Sequence, residues 1–278
     1  MTRYGDALID DRGGDVAQDL AGRTVIISGV GEGLGRETAL VAAREGANVV
    51  LGARTESTLE AVAKEVEAAG AKAAYKRTDI AKEADCQGLV DLAVTTFGGV
   101  DSVINIAAMD AVFGGLGTAG DFAEWKQLFD VNLYGSMLIT RSALPELEKT
   151  GGSVVFVSSQ TQHHPPANAL QMAYASSKGA ITGAMRHLMQ EVGPRGIRVN
   201  EVAPGWMWGP PVEWFVNSTA EQRGVDPSVV LGELTANMPL RRMATDGEVA
   251  EALCFFASPR AGGITGQTLL INAGEVVH

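Results

Sequence analysis

The chain has 278 residues, 46% of them hydrophobic, with a formal net charge of −11 and a pI near 4.9. That length supplies one large core, and so acidic a surface disfavours nucleic acid and anionic membrane as partners. Cys86 and Cys254 stand in unrelated segments without metal-ligand spacing. No apolar run approaches the ~18 residues of a membrane span, and the acidic start lacks a signal-peptide pattern, so a soluble cytoplasmic protein with reduced thiols is expected.

In chain order, residues 1–20 are charged and read as a flexible N-terminal extension. From there short apolar runs alternate with longer amphipathic ones. Strands are predicted at residues 24–28, 48–51, 73–77, 102–106, 153–158, 198–203 and 268–272, apolar on both faces as doubly covered strands are. Helices are predicted over 35–45, 57–69, 84–97, 124–144, 174–192 and 246–256. The second opens on an apparent capping box, Ser57 with Glu60, and the first three end at Gly46, Gly70 and Gly98. Strict alternation implies a parallel sheet with helices on both faces. Residues 204–245 break the rhythm as an insertion rich in Trp, Pro and Met, the kind of segment that carries function.

The first strand runs into Ser28-Gly29-Val30-Gly31-Glu32-Gly33-Leu34-Gly35 and then a helix. Glycines there allow a tight turn and close approach to a pyrophosphate, and the helix N-terminus offers free N–H groups. At the end of the second strand stands Ala53, where an acidic residue would bind a ribose 2′-hydroxyl, and Arg54 follows it. That guanidinium either meets a 2′-phosphate or adenine, or lies solvated beside Glu56. Of four tyrosines only Tyr174 has a lysine four residues on, Lys178, so the two share a helix face. A phenol of ordinary pKa near ~10 is a poor base at neutral pH, and an adjacent ammonium together with the positive nicotinamide of a bound cofactor favours its ionised form. The bland alternative is a buried phenol and a surface lysine.

Taken together across residues 20–275, these motifs resemble those of the short-chain dehydrogenase/reductase family: Gly29-xxx-Gly33-x-Gly35 after a hydroxyl residue, Ser158-Ser159 ending a strand fifteen residues before Tyr174, and Tyr174-xxx-Lys178. The resemblance implies a Rossmann-like, doubly wound α/β domain of about seven parallel strands over residues 21–278. It also implies an oxidoreductase that interconverts a secondary alcohol and a ketone with NAD(P)(H), and a homotetramer. Carried over residue by residue, Tyr174 is the acid/base and Ser159 donates a hydrogen bond to the substrate oxygen. Lys178 also bridges the nicotinamide ribose, and Asn132 kinks its helix and holds a relay water. The implied cofactor-binding set is Ser28, Gly29, Gly33, Leu34, Gly35, Arg54, Asp79, Ile80, Asn105, Ala107, Tyr174, Lys178, Pro204 and Gly205. Asp79 reads either as the family's adenine-binding aspartate or as a plain helix N-cap. Arg54 leans the choice towards NADP(H), while Glu32 pulls towards NAD(H).

Some positions depart from the family pattern. The usual Asn-Asn-Ala-Gly appears as Asn105-Ile106-Ala107-Ala108, and no threonine follows Pro204-Gly205 in Trp206-Met207-Trp208-Gly209. His163 and His164, ahead of Pro165 and Pro166, are adjacent without a third ligand, so no metal is expected. Trp206, Trp208, Trp214 and Phe215 form either a lid over an apolar pocket, with Trp206 and Trp208 touching substrate, or a surface packed on a neighbouring subunit. The lid reading gives a bulky hydrophobic substrate: aryl, alicyclic, terpenoid or steroid-like. Two rivals stay open: a 3-oxoacyl thioester reductase, and a non-catalytic relative that senses nicotinamide cofactor.

Overall fold

The structure, a computed structural model, describes residues 18–110, 112–118, 122–165 and 170–277. Its strands are β1 (Thr24–Ser28), β2 (Asn48–Ala53), β3 (Lys72–Arg77), β4 (Ser102–Asn105), β5 (Ser153–Val157), β6 (Arg198–Pro204), β7 (Met207–Trp208), β8 (Ala244–Thr245) and β9 (Thr268–Ile271). Seven of them make one sheet in the order β3-β2-β1-β4-β5-β6-β9, and every pairing in it is parallel. The order reverses between β1 and β4, and ligands of such sheets lie in the crevice at that reversal, beyond the carboxyl ends of the strands.

Strand residues alternate between two cores, as a pleat of period two requires. Val25, Ile27, Val49 and Leu51 face α1 (Leu34–Arg44), α2 (Glu56–Ala68) and α9 (Asp246–Ala257). Ile26, Val50, Val154 and Phe156 face α3 (Glu83–Phe97), α5 (Ser136–Thr150) and α6 (Met172–Val192). Cys254 is buried in the first core and Cys86 in the second. The remaining helices are α4 (Ala123–Phe129), α7 (Pro210–Arg223) and α8 (Pro227–Thr235). The expected doubly wound α/β architecture is what the chain forms, and among the described residues no helix is long and apolar enough to cross a membrane.

Local readings need correction. β3 is not apolar on both faces: Lys72, Lys76 and Arg77 are exposed, because this strand is the sheet edge, where charge blocks further pairing. Ser57 and Glu60 form no capping box. Helix α2 starts at Glu56, and its N-cap Thr55 makes no side-chain cap bond. The capping box present is Thr245 with Glu248, opening α9. The helix expected over 124–144 is α4, a π-helical turn at Asp130–Gly135, and α5, the last running to Thr150 through Pro145.

Residues 1–17 of the expected N-terminal extension lie outside the described residues. Asp19 and Leu20 are held: Asp19 pairs with Arg260 at 2.9 Å, and Leu20 is buried in the first core. The insertion after β6 folds as α7 and α8 around Val216, Ala220 and Val230, with β7 and β8 pairing Met207 to Ala244 and Trp208 to Thr245.

Candidate active site

The glycine turn is built by close approach. Gly29 has φ 99°, and a Cβ there would fall 2.2 Å from the Ala107 backbone nitrogen. A Cβ on Gly35 would fall 2.4 Å from the Gly29 carbonyl oxygen. The buried Ser28 carbonyl accepts from the Ile106 and Ala107 N–H groups, each at 2.8 Å, which locks β1 to the chain leaving β4. α1 then begins at Leu34 with Gly33 as N-cap and no side-chain cap. Its first N–H groups lack intrahelical acceptors and its positive end faces the turn, so the residues present fit a dinucleotide pyrophosphate.

Around this turn the other expected cofactor residues fall as follows. Arg54 is exposed at the end of β2, and among the described residues it has no hydrogen-bond or ion-pair partner. Arg36 is committed, with hydrogen bonds to both Glu65 oxygens and to Glu37. Glu32, Ser57, Thr58 and Glu65 line the same cleft between α1 and α2. Asp79 does not cap α3, whose N-cap is Lys82; its carboxylate accepts from the Ala81 N–H at 3.2 Å in the turn ahead of that helix. Ile80 is buried against Gly135. The Asn105 amide donates to Thr140 Oγ1 at 3.2 Å, and its buried Oδ1 has no partner among the described residues.

One strand further on lies the expected catalytic group. α6 carries Tyr174, Lys178 and Thr182 on one face, each one turn apart. Lys178 is 2% exposed; its Nζ donates to the Val157 carbonyl at 2.8 Å and lies 5.5 Å from the Tyr174 ring centre. Ser159 hydrogen-bonds Tyr174, and its Oγ also accepts from the N–H and hydroxyl of Thr161 at 3.2 and 3.0 Å. Asn132 is fully buried in the π turn. It accepts from the Met109 N–H at 2.7 Å and donates to the Met109 carbonyl at 2.9 Å and to Ser177 Oγ at 3.0 Å, tying the chain after β4 to α6. All four expected residues therefore meet at one end of the sheet.

Burial dominates the electrostatics of the pair. Burial, helped by Asp110, pushes the Tyr174 phenol up to about 12, and the Ser159 bond only partly opposes this. Burial pulls Lys178 down to about 8, against the raising influence of Glu201 and Asp110. Desolvation of the phenol thus outweighs the Ser159 bond and favours the protonated form.

Sequence reading missed the buried polar ring beneath Lys178. Glu201 on β6 is fully buried; it accepts from Ser158 Oγ at 2.5 Å, Gln162 Nε2 at 3.0 Å and Thr182 Oγ1 at 2.8 Å. Gln162 also meets Ser158 at 3.1 Å and Thr182 at 2.6 Å, closing the ring. The available signal was an acid inside Val199–Ala203, a run otherwise fit for a covered strand.

On the substrate side, Pro204 is buried and the Gly205 N–H donates to the Ile271 carbonyl at 3.0 Å. The three tryptophans do not converge. Trp206 stacks on Phe215 with ring centres 5.9 Å apart, Trp208 packs against Val216, Ala220 and Val230, and Trp214 is 71% exposed. Beside Tyr174 the wall is apolar instead: Val112, Leu128 and Ala173 cluster with Met109, Trp125 and Phe129. His163 and His164 are exposed and Pro166 lies outside the described residues; among those described, no cluster could hold a metal ion.

Residues 29–275 match a family model described as enoyl-(acyl carrier protein) reductase. The chain is 34% identical over 253 residues to the short-chain reductase protein NovJ of Streptomyces niveus, covering 90% of this chain and 92% of that protein. It is 29% identical to 7alpha-hydroxysteroid dehydrogenase of Escherichia coli, with 92% and 95% covered. Among solved structures, the NADH-dependent reductase A1-R′ responsible for alginate metabolism superposes with a TM-score of 0.79 at 29% identity, covering 94% of this chain and all of that one.

Proposed function

This chain belongs to the short-chain dehydrogenase/reductase family, and from that premise we propose that it reduces bulky hydrophobic ketones, or oxidises the matching secondary alcohols, with NADP(H) as cofactor. The observation that carries the reading is the meeting of Ser159, Tyr174 and Lys178 at the carboxyl end of β5, beside the glycine turn of β1.

When bound, the nicotinamide supplies or accepts the hydride. This chain's residues handle the oxygen and its proton. Ser159 donates to the substrate oxygen, and Tyr174, held as a phenol by burial, gives that oxygen its proton as the carbonyl becomes an alcohol. Lys178, anchored by the Val157 carbonyl and one turn from Tyr174, would hold the ribose hydroxyls of the cofactor. Asn132 positions the helix that carries both. The apolar wall of Val112, Leu128 and Phe129 and the Trp206–Phe215 pair exclude water and favour an alicyclic or aryl skeleton, in keeping with a steroid dehydrogenase among the relatives. Arg54 is the cation available for a 2′-phosphate, and Glu32 on the facing turn argues for NAD(H) instead.

The test follows the reduced-nicotinamide absorbance with NADPH and NADH, on wild type and Arg54→Ala. The substrates are bulky ketones, small polar ketones and a 3-oxoacyl thioester. Bulky ketones turn over fastest, and Arg54→Ala loses about tenfold in kcat/KM with NADPH alone. A preference for the thioester moves the substrate to an acyl carrier. Tight cofactor binding without turnover makes the chain a sensor, and an unchanged Arg54→Ala removes the phosphate role.

A further inference from the structure

Asp246 opens α9 where that helix meets both the glycine turn and the chain leaving β7. Its side chain is one of the few buried carboxylates, 8% exposed. It fits because two neighbours have no side chain: a Cβ on Gly33 would come 2.9 Å from Asp246 Oδ2, and a Cβ on Gly209 would come 2.2 Å from it. Gly33 is the N-cap of α1, so this carboxyl stands beside the N–H groups read above as the pyrophosphate cradle.

The charged groups on the packed elements do not neutralise it. Glu37 on α1 faces it and is itself held by Arg36, and Glu32 on the turn is acidic. On its own helix Glu248 is engaged by Arg242. Burial first, and Glu37 second, push the Asp246 carboxyl up to about 6. A buried anion here opposes a second anion at close range, whereas the neutral acid offers an O–H donor to it.

We propose that Asp246 is a cofactor-binding residue which this chain adds to its glycine turn: as a carboxylic acid it donates to a pyrophosphate oxygen, and as a carboxylate it repels the dinucleotide. The inference rests on the dinucleotide reading of that turn. Binding then draws one proton from solvent onto Asp246 whenever the pH lies above about 6, and affinity falls as pH rises.

The experiment is calorimetric titration of NAD and of NADP into the full chain between pH 5.5 and 7.5, for wild type, Asp246→Asn and Glu37→Gln, with a thermal melt of each. Wild-type affinity for both dinucleotides falls about tenfold across that range relative to Asp246→Asn, which keeps an N–H donor and binds at the upper pH as wild type does at the lower. Glu37→Gln leaves Asp246 in place and moves the inflection to lower pH, so the proposal does not depend on one variant folding. Parallel profiles for wild type and Asp246→Asn, or weaker binding by Asp246→Asn throughout, overturn the inference. Failure of every variant to bind either dinucleotide overturns the cofactor reading itself, a separate result.

Discussion

The β5–α6 half of the site and the α7–α8 segment lie at the same end of the sheet yet differ in how firmly they are built. On the first, Asn132, Lys178 and Glu201 are buried and each is held by hydrogen bonds to other elements. On the second, Val216, Ala220 and Val230 are the only buried members of the local cluster among the described residues, and Trp214 faces outwards. In the proposed mechanism the groups that trade protons are fixed to rigid elements, while those assigned to the carbon skeleton sit on a segment with little buried surface. The difference separates what the enzyme does from what it does it to.

The sharpest way to break that division is Tyr174→Phe. Turnover falls about a thousandfold while calorimetric cofactor affinity stays within about twofold; an unchanged rate removes Tyr174 from the chemistry. Next comes the ring beneath it. Glu201→Ala leaves Ser158, Gln162 and Thr182 without their shared acceptor and costs about 3 kcal/mol in urea unfolding; a loss below about 1 kcal/mol would mean that the β5–α6 half owes its rigidity to apolar packing alone. The smallest effects belong to the other region. Trp206→Ala, which strips the stack on Phe215, raises KM for a bulky ketone several-fold with kcat held, whereas Trp214→Ala changes stability by less than about 0.5 kcal/mol. Equal effects of the two tryptophans on KM would show that the segment acts as one lid.

The parts legible in the sequence were those written by local rules. The continuous apolar runs at Thr24–Ser28 and Ser153–Val157, and the helix stop at Gly98, follow from a sheet covered on both faces and from left-handed backbone. Tyr174, Lys178 and Ser159 lie together, and Asn132 is bonded to Ser177 on the helix that carries the first two. What stayed hidden depends on the third dimension. Ala73–Arg77 reads as a covered strand until its place at the edge is known. Ser57 satisfies a capping pattern two residues too late, because α2 starts at Glu56 with Thr55 as N-cap. Glu201 and Asp246 are unremarkable acids in sequence; only burial against Thr182 or between Gly33 and Gly209 makes them consequential.

The two thiols occupy opposite sides of the sheet, Cys254 on α9 facing α1 and Cys86 on α3. They are too separated by β-structure to bridge, so reductant is immaterial to the fold. Each is instead a natural reporter for one layer. The rate at which a small alkylating reagent reaches the one, compared with the other, reads out whether the two layers peel from the sheet together or one at a time, with no label introduced.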